Sequence, residues 1–107
     1  MNGIDAVMLV VAASLEIGGD AAIRQGLIRT TWVWLAIGAA TLIAYGFAVN
    51  LNRGIDFGRL MGLYIAVFFV VSQLLSLLFF GERPSTSLIV GGALIVMGGV
   101  VIQVGRA

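Results

Sequence analysis

Residues 60–81 read LMGLYIAVFFVVSQLLSLLFFG, an apolar run of 22 residues that contains no charged side chain. A helix of that length rises about 33 Å, which is enough to cross about 30 Å of hydrocarbon. Two further stretches, Thr30–Asn52 and Pro84–Gly105, share this length and this lack of charge. A fourth, Ala6–Ile23, is interrupted only by two acidic residues. The sequence therefore predicts an all-α membrane protein with four transmembrane helices.

A single transmembrane domain, residues 1–107, is expected to contain helices at about 4–25, 31–49, 57–80 and 84–105. Hydrophobic residues make up 61% of the chain and charged residues 10%, far less charge than a soluble domain of this length carries. The first segment lacks a preceding basic region and a following cleavage site. It is therefore predicted to be a retained span and not a signal peptide.

Several function classes are disfavoured by what the composition lacks. Cysteine and histidine are absent, which removes disulfides and the commonest metal ligands, and we expect no cofactor. The net charge is +1 without a basic cluster, so nucleic acid is not an expected partner. The chain shows no nucleophile–base pair and no cofactor-binding motif, so an enzyme is not expected.

The arginines give no signal for orientation in the membrane. With four spans, both termini and the middle loop lie on one side, and the two remaining loops lie on the other. The two sides hold three arginines each: Arg53, Arg59 and Arg106 against Arg24, Arg29 and Arg83. Because cytoplasmic loops normally carry an excess of Lys and Arg, this balance indicates dual topology, in which oppositely inserted copies pair as an antiparallel homodimer. A chance tie in a chain with few loop charges is the alternative.

Glu16 is the principal candidate functional residue, because it lies deep in the first span. A charge near the bilayer midplane costs about 2.5–3.5 kcal/mol on insertion scales. Acids at that depth mark ion or substrate pathways by default. Four helices leave little room for a solvated cavity, so Glu16 is expected to face a partner chain.

Asp20 follows Glu16 by four residues and therefore lies on the same helix face, and Arg24 follows Asp20 by the same step. Near the membrane boundary, the long Arg24 side chain can reach water while it pairs with Asp20. We expect that pairing, with proton carriage by Asp20 alongside Glu16 as the alternative.

Three more polar side chains complete the predicted substrate- and proton-binding set. Thr41 and Tyr45 are four residues apart and form the polar edge of the second helix. Tyr64 in the third helix carries both a ring and a hydroxyl. It is expected either near the membrane interface or lining the cavity of Glu16.

The fourth helix carries two glycine pairs seven residues apart, Gly91–Gly92 and Gly98–Gly99. Small residues in register allow two helix backbones to approach closely, and helix association in lipid depends on such packing. The stripe predicts a dimer interface, although it would also fit against the second helix of the same chain.

Three segments resemble the small multidrug resistance family, the shortest members of the drug/metabolite transporter superfamily. Residues 12–19, AASLEIGG, are similar to that family's first helix, where a Glu precedes Gly and then a basic residue, here Arg24. Residues 76–83 resemble the end of its third helix, and residues 92–100 resemble its dimerising fourth helix. The resemblance covers nearly the whole chain.

Other positions depart from that family's pattern. Tyr64 falls at the family's third-helix tryptophan, Met61 stands where a tyrosine is usual, and residues 66–68 replace a Gly-x-Gly bend. The Gly58–Arg59 pair is instead similar to another small four-helix inner-membrane family of unsettled function.

The resemblance implies a multi-pass protein of the bacterial inner membrane that forms an antiparallel homodimer. Two copies of Glu16 would alternately bind protons and a small cationic substrate. One alternative is a metabolite exporter or a flippase for lipid-linked substrates from the same superfamily. Another is a non-transporting membrane subunit of a heterodimer, in which Glu16 only forms a hydrogen bond within a packed interface.

Overall fold

The computed structural model describes residues 3–51 and 54–105, and these form four helices in sequence. The helices are α1 (Gly3–Arg29), α2 (Trp32–Val49), α3 (Phe57–Phe80) and α4 (Thr86–Val104). All four are long and apolar enough to cross a membrane, and the described residues contain no strand. The predicted all-α, four-span fold is confirmed. Two of the arginines used in the prediction of orientation, Arg53 and Arg106, lie outside the described residues.

Helix α1 extends four residues beyond its predicted end and reaches 27 residues, against 18 in α2. Gly26 does not interrupt it, because this glycine is a packing position: a Cβ there would lie 2.9 Å from the backbone nitrogen of Leu35. Thr30 then takes a φ of 53°, a left-handed conformation that is rare for a β-branched residue. The chain thus reverses direction within two residues.

Helix α4 begins at Thr86, two residues after its predicted start at Pro84. The reason is the capping hydroxyl of Ser85, which accepts a hydrogen bond from the Leu88 backbone N–H at 3.2 Å. Helix α3 ends where predicted, at Gly81, whose φ of 64° suits a residue without a side chain.

The four helices form two hairpins, α1–α2 and α3–α4, which meet along α1 and α3. Helix α4 packs against α3 and, within the described residues, does not approach the backbone of α1 or α2. The alternative placement of the fourth-helix glycines against α2 is therefore wrong. The buried core lies where α1, α2 and α3 converge, and it consists of Leu9, Ala12, Ala13, Val49, Leu60, Leu63 and Tyr64.

The backbones of α1 and α2 are in direct contact at two glycines. A Cβ added at Gly38 would lie 2.8 Å from the carbonyl oxygen of Gly19 and 2.9 Å from the backbone nitrogen of Ile23. Close approach at small residues is the usual basis of helix association in lipid. The first hairpin is therefore a tightly fitted unit.

The described residues form a slab of 48 × 35 × 20 Å. Because a helix with its side chains is about 10–12 Å across, the slab is about two helices thick. Many large apolar side chains consequently lie on its surface, including Phe47, Leu78 and Val104, each 74–75% exposed.

Candidate functional site

Glu16 lies at the middle of α1, on the side that meets α3. The two alanines one turn before it, Ala12 and Ala13, are 0% exposed, because their small side chains allow the neighbouring helices to come close. Glu16 itself is half-buried. The predicted acid thus lies at the contact between the two hairpins of its own chain.

The carboxylate of Glu16 is bound by a phenol from the other hairpin. The Tyr64 hydroxyl donates a hydrogen bond to Glu16 Oε1 at 2.6 Å. That length is typical of a hydroxyl bound to an ionised acceptor, a bond roughly twice as strong as one between neutral groups. Tyr64 is only 4% exposed. Of the two positions expected for Tyr64, the structure has the one beside Glu16.

Two aromatic rings hold the Tyr64 phenol in place. The Tyr45 ring of α2 lies 5.6 Å from the Tyr64 ring between centroids, and the Phe68 ring, one turn along α3, lies at 5.9 Å. Both distances are typical of favourable ring pairs. The Tyr45 hydroxyl is also within electrostatic range of the Glu16 carboxylate. Glu16, Tyr45 and Tyr64 therefore form one polar cluster, contributed by α1, α2 and α3.

Thr41 lies one turn before Tyr45 but is not part of this cluster. Its hydroxyl donates to the carbonyl oxygen of Ile37 in its own helix at 2.7 Å. A threonine bonded in this way has its donor satisfied within the helix.

Asp20 lies apart from the cluster as well, since its side chain is exposed. It lines an open groove together with Arg24 and Glu82. Within the described residues no ion pair joins Asp20 to Arg24, so the expected pairing is not formed. Glu82, which received no role from its position in the sequence, accepts a hydrogen bond from the Ser76 hydroxyl at 2.7 Å.

The four glycines of α4 divide into two sets. Gly92 and Gly99 are buried against α3, where an added Cβ would collide with Phe69 and Ala66 respectively. At Gly91 and Gly98 an added Cβ would meet nothing within 4 Å. Half of the glycine stripe therefore serves packing within the chain, and the other half remains open.

Neither Phe68 nor Glu82 was predicted as part of a functional surface. The spacing of four residues from Tyr64 places Phe68 on the same helix face and was the available signal. Glu82 follows the helix-ending Gly81, and nothing in its local sequence connects it with Asp20, 62 positions earlier.

Comparison with known proteins gives a consistent result over almost the whole chain. The profile described as "Uncharacterised BCR, YnfA/UPF0060 family" matches residues 4–106. A UPF0060 membrane protein of Mycolicibacterium gilvum is 36% identical over 99 residues, which cover 92% of each chain. One from Arthrobacter sp. is 35% identical, covering 91% of this chain and 88% of the relative. One from Frankia casuarinae is 36% identical, covering 94% and 92%. No solved structure matches the chain.

Proposed function

The chain belongs to the YnfA/UPF0060 family of membrane proteins, and we propose that it is a transporter that exchanges protons for small cationic or amine-bearing compounds at Glu16. Its relatives are named membrane proteins and it has four helices able to span a bilayer, as in a multi-pass bacterial membrane protein. Resemblance to the small multidrug resistance family adds support for the proposed activity.

The observation that carries this proposal is an acid at mid-membrane without a basic partner. Within the described residues, no arginine pairs with Glu16, and its carboxylate accepts a hydrogen bond from the neutral phenol of Tyr64. An unpaired charge inside a membrane is costly, and residues that carry one there usually bind an ion or a substrate. A proton or a cation can neutralise it, and each excludes the other. Exclusive occupancy of one carboxylate is sufficient to couple the two movements.

A second copy of the chain is proposed to complete the site, with the two copies inserted in opposite orientations. The slab is about two helices thick, and α4 leaves α1 and α2 uncovered on its side. One chain therefore does not enclose Glu16. The arginine balance supports the antiparallel arrangement, and the open glycines Gly91 and Gly98 provide a surface on which α4 can dimerise.

Cation binding should release protons from the solubilised protein. We expect release that saturates with added quaternary ammonium or guanidinium compounds, because the cation replaces the proton on Glu16. The release should be measured in weakly buffered detergent solution at several pH values. Saturable binding of such compounds without any proton release at any pH would contradict the exchange mechanism. Saturable binding of lipid-linked substrates instead would favour a flippase.

Enlarging Gly98 should weaken the dimer without disturbing the single chain. In Gly98→Ile the new side chain projects from the open side of α4, where an added Cβ meets nothing within 4 Å. We expect a lower dimer fraction after cross-linking in detergent and unchanged helix content. Val100→Ile is the matched control, since it enlarges an exposed residue about 200° away around the same helix. An unchanged dimer fraction in Gly98→Ile would exclude this face as the interface.

A further inference from the structure

The bond between Tyr64 and Glu16 joins the two hairpins of the chain. Glu16 belongs to the α1–α2 hairpin and Tyr64 to the α3–α4 hairpin, and their oxygens are 2.6 Å apart. By contrast, the hydrogen bonds from Ser76 to Glu82 and from Arg59 to the Gln103 carbonyl each stay within one hairpin. A change in this one bond therefore acts on the contact between the hairpins.

The strength of the bond depends on what the carboxylate carries. A hydroxyl binds an ionised carboxylate about twice as strongly as a neutral acceptor. A proton on Glu16 removes the charge, and a bound cation competes for the same oxygens. The bond is therefore strongest when the site holds neither ligand.

We propose that Tyr64 is a positioning residue that competes with the transported cation for Glu16 and holds the two hairpins together while the site is empty. The inference rests on the proposed exchange function. The hairpins then shift against each other only after a proton or a cation has weakened the bond. This arrangement serves coupling, because an exchanger whose empty form also rearranges would let its substrate cross without a counter-moving proton.

Among the charged and titratable groups near this bond, Tyr64 is the one that fits the proposed role. Tyr45 belongs to the same hairpin as Glu16, so any interaction between these two side chains stays within that hairpin. The ring contact of Tyr45 with Tyr64 does join the hairpins, but it is a contact between neutral rings and does not depend on what Glu16 carries. Asp20, on α1, is exposed in a separate groove with Arg24 and Glu82. Tyr64 is thus the group whose bond to Glu16 both spans the contact and responds to loading.

Tyr64→Phe tests the proposal, because it removes the hydroxyl and keeps the ring. We expect binding of tetrapropylammonium and phenylguanidinium to become about tenfold tighter, since a competing bond to a charged group is lost. We also expect coupling to fail: with equal pH on both sides, cation efflux from proteoliposomes should rise above wild type. Ser76→Ala is the matched control, as it removes a hydroxyl–carboxylate bond within one hairpin, and both quantities should stay at wild-type values.

Two results in Tyr64→Phe would overturn the proposal. Weaker binding of both cations would mean that the Tyr64 hydroxyl is a ligand for the substrate and not its competitor. Unchanged affinity together with unchanged efflux would mean that the bond neither competes with the cation nor holds the two hairpins together. Proton-linked transport that persists in Glu16→Gln would instead refute the exchange function itself, whatever Tyr64→Phe does.

A spectroscopic measurement keeps the proposal testable if Tyr64→Phe does not fold. The chain contains two tyrosines, so Tyr45→Phe leaves Tyr64 as the only one. Its ultraviolet resonance Raman bands report how strongly the hydroxyl donates. Saturating tetrapropylammonium should shift these bands from those of a phenol bound to a charged acceptor to those of a weaker donor. No shift at saturation would overturn the proposal.

Discussion

Replacing Glu16 by glutamine is expected to reduce proton-linked cation uptake into proteoliposomes to the level of protein-free vesicles. Glutamine has nearly the shape of glutamate, and its carbonyl oxygen can still accept the Tyr64 hydrogen bond seen at 2.6 Å. It cannot bind a proton in the physiological range or neutralise a cation. Because the change removes a charge from the membrane interior, we expect the variant to fold and to insert normally. The loss should therefore appear in transport and not in protein yield.

The matched control is Glu82→Gln, the same substitution at an exposed acid beyond the end of α3. Glu82 contacts Ser76 and lies in a groove away from the Tyr64 cluster, so uptake should remain close to wild type. Uptake in Glu16→Gln at the wild-type rate would refute the proposed function. Equal loss in both variants would show that charge anywhere on the chain, and not a specific site, supports uptake.

Replacing Gly38 by alanine is expected to destabilise the α1–α2 hairpin by about 1–3 kcal/mol, the usual range for overpacking. The new methyl group would lie 2.8 Å from the Gly19 carbonyl oxygen and 2.9 Å from the Ile23 nitrogen. Both are backbone atoms, so no side-chain rotation can relieve the contact and the two helices must separate. The shift should appear as a lower midpoint of thermal unfolding in detergent.

Gly46→Ala provides the control on the same helix. An added Cβ at Gly46 meets nothing within 4 Å, and alanine has a higher helix propensity than glycine. The unfolding midpoint should therefore stay the same or rise slightly. Equal midpoints in Gly38→Ala and wild type would contradict the close backbone contact between α1 and α2.

The four spans could be predicted from the sequence because crossing a bilayer imposes one simple demand, an uncharged run of sufficient length. Helix ends depend on local geometry that hydropathy does not contain. The observed end of α1, before the left-handed Thr30, and the observed start of α4, after the capping Ser85, differ from the predicted bounds by a few residues. Glycine spacing likewise showed that another helix comes close to α4. It could not show that Gly92 and Gly99 would meet α3.

The candidate site was predictable in part for a similar reason. A lone acid in an apolar span is conspicuous, so Glu16 stood out without any knowledge of the fold. The position of Tyr64 stayed open because the residues that follow it, Ile65–Val71, are all apolar, and this pattern does not fix which face of α3 turns towards α1. The Asp20–Arg24 spacing allowed an ion pair, but exposed pairs gain little and need not form.

The unequal lengths of α1 and α2 have a consequence for the surrounding lipid. At about 1.5 Å per residue, α1 measures about 40 Å and α2 about 27 Å, against about 30 Å of hydrocarbon. The additional length of α1 includes Arg24 and Arg29, whose charged groups need water, so α1 either projects from the hydrocarbon or tilts to keep both of its ends at a surface. Any change in the tilt of α1 also moves the carboxylate at its centre and the phenol bound to it. Acyl-chain length is thereby connected mechanically to the geometry of the site.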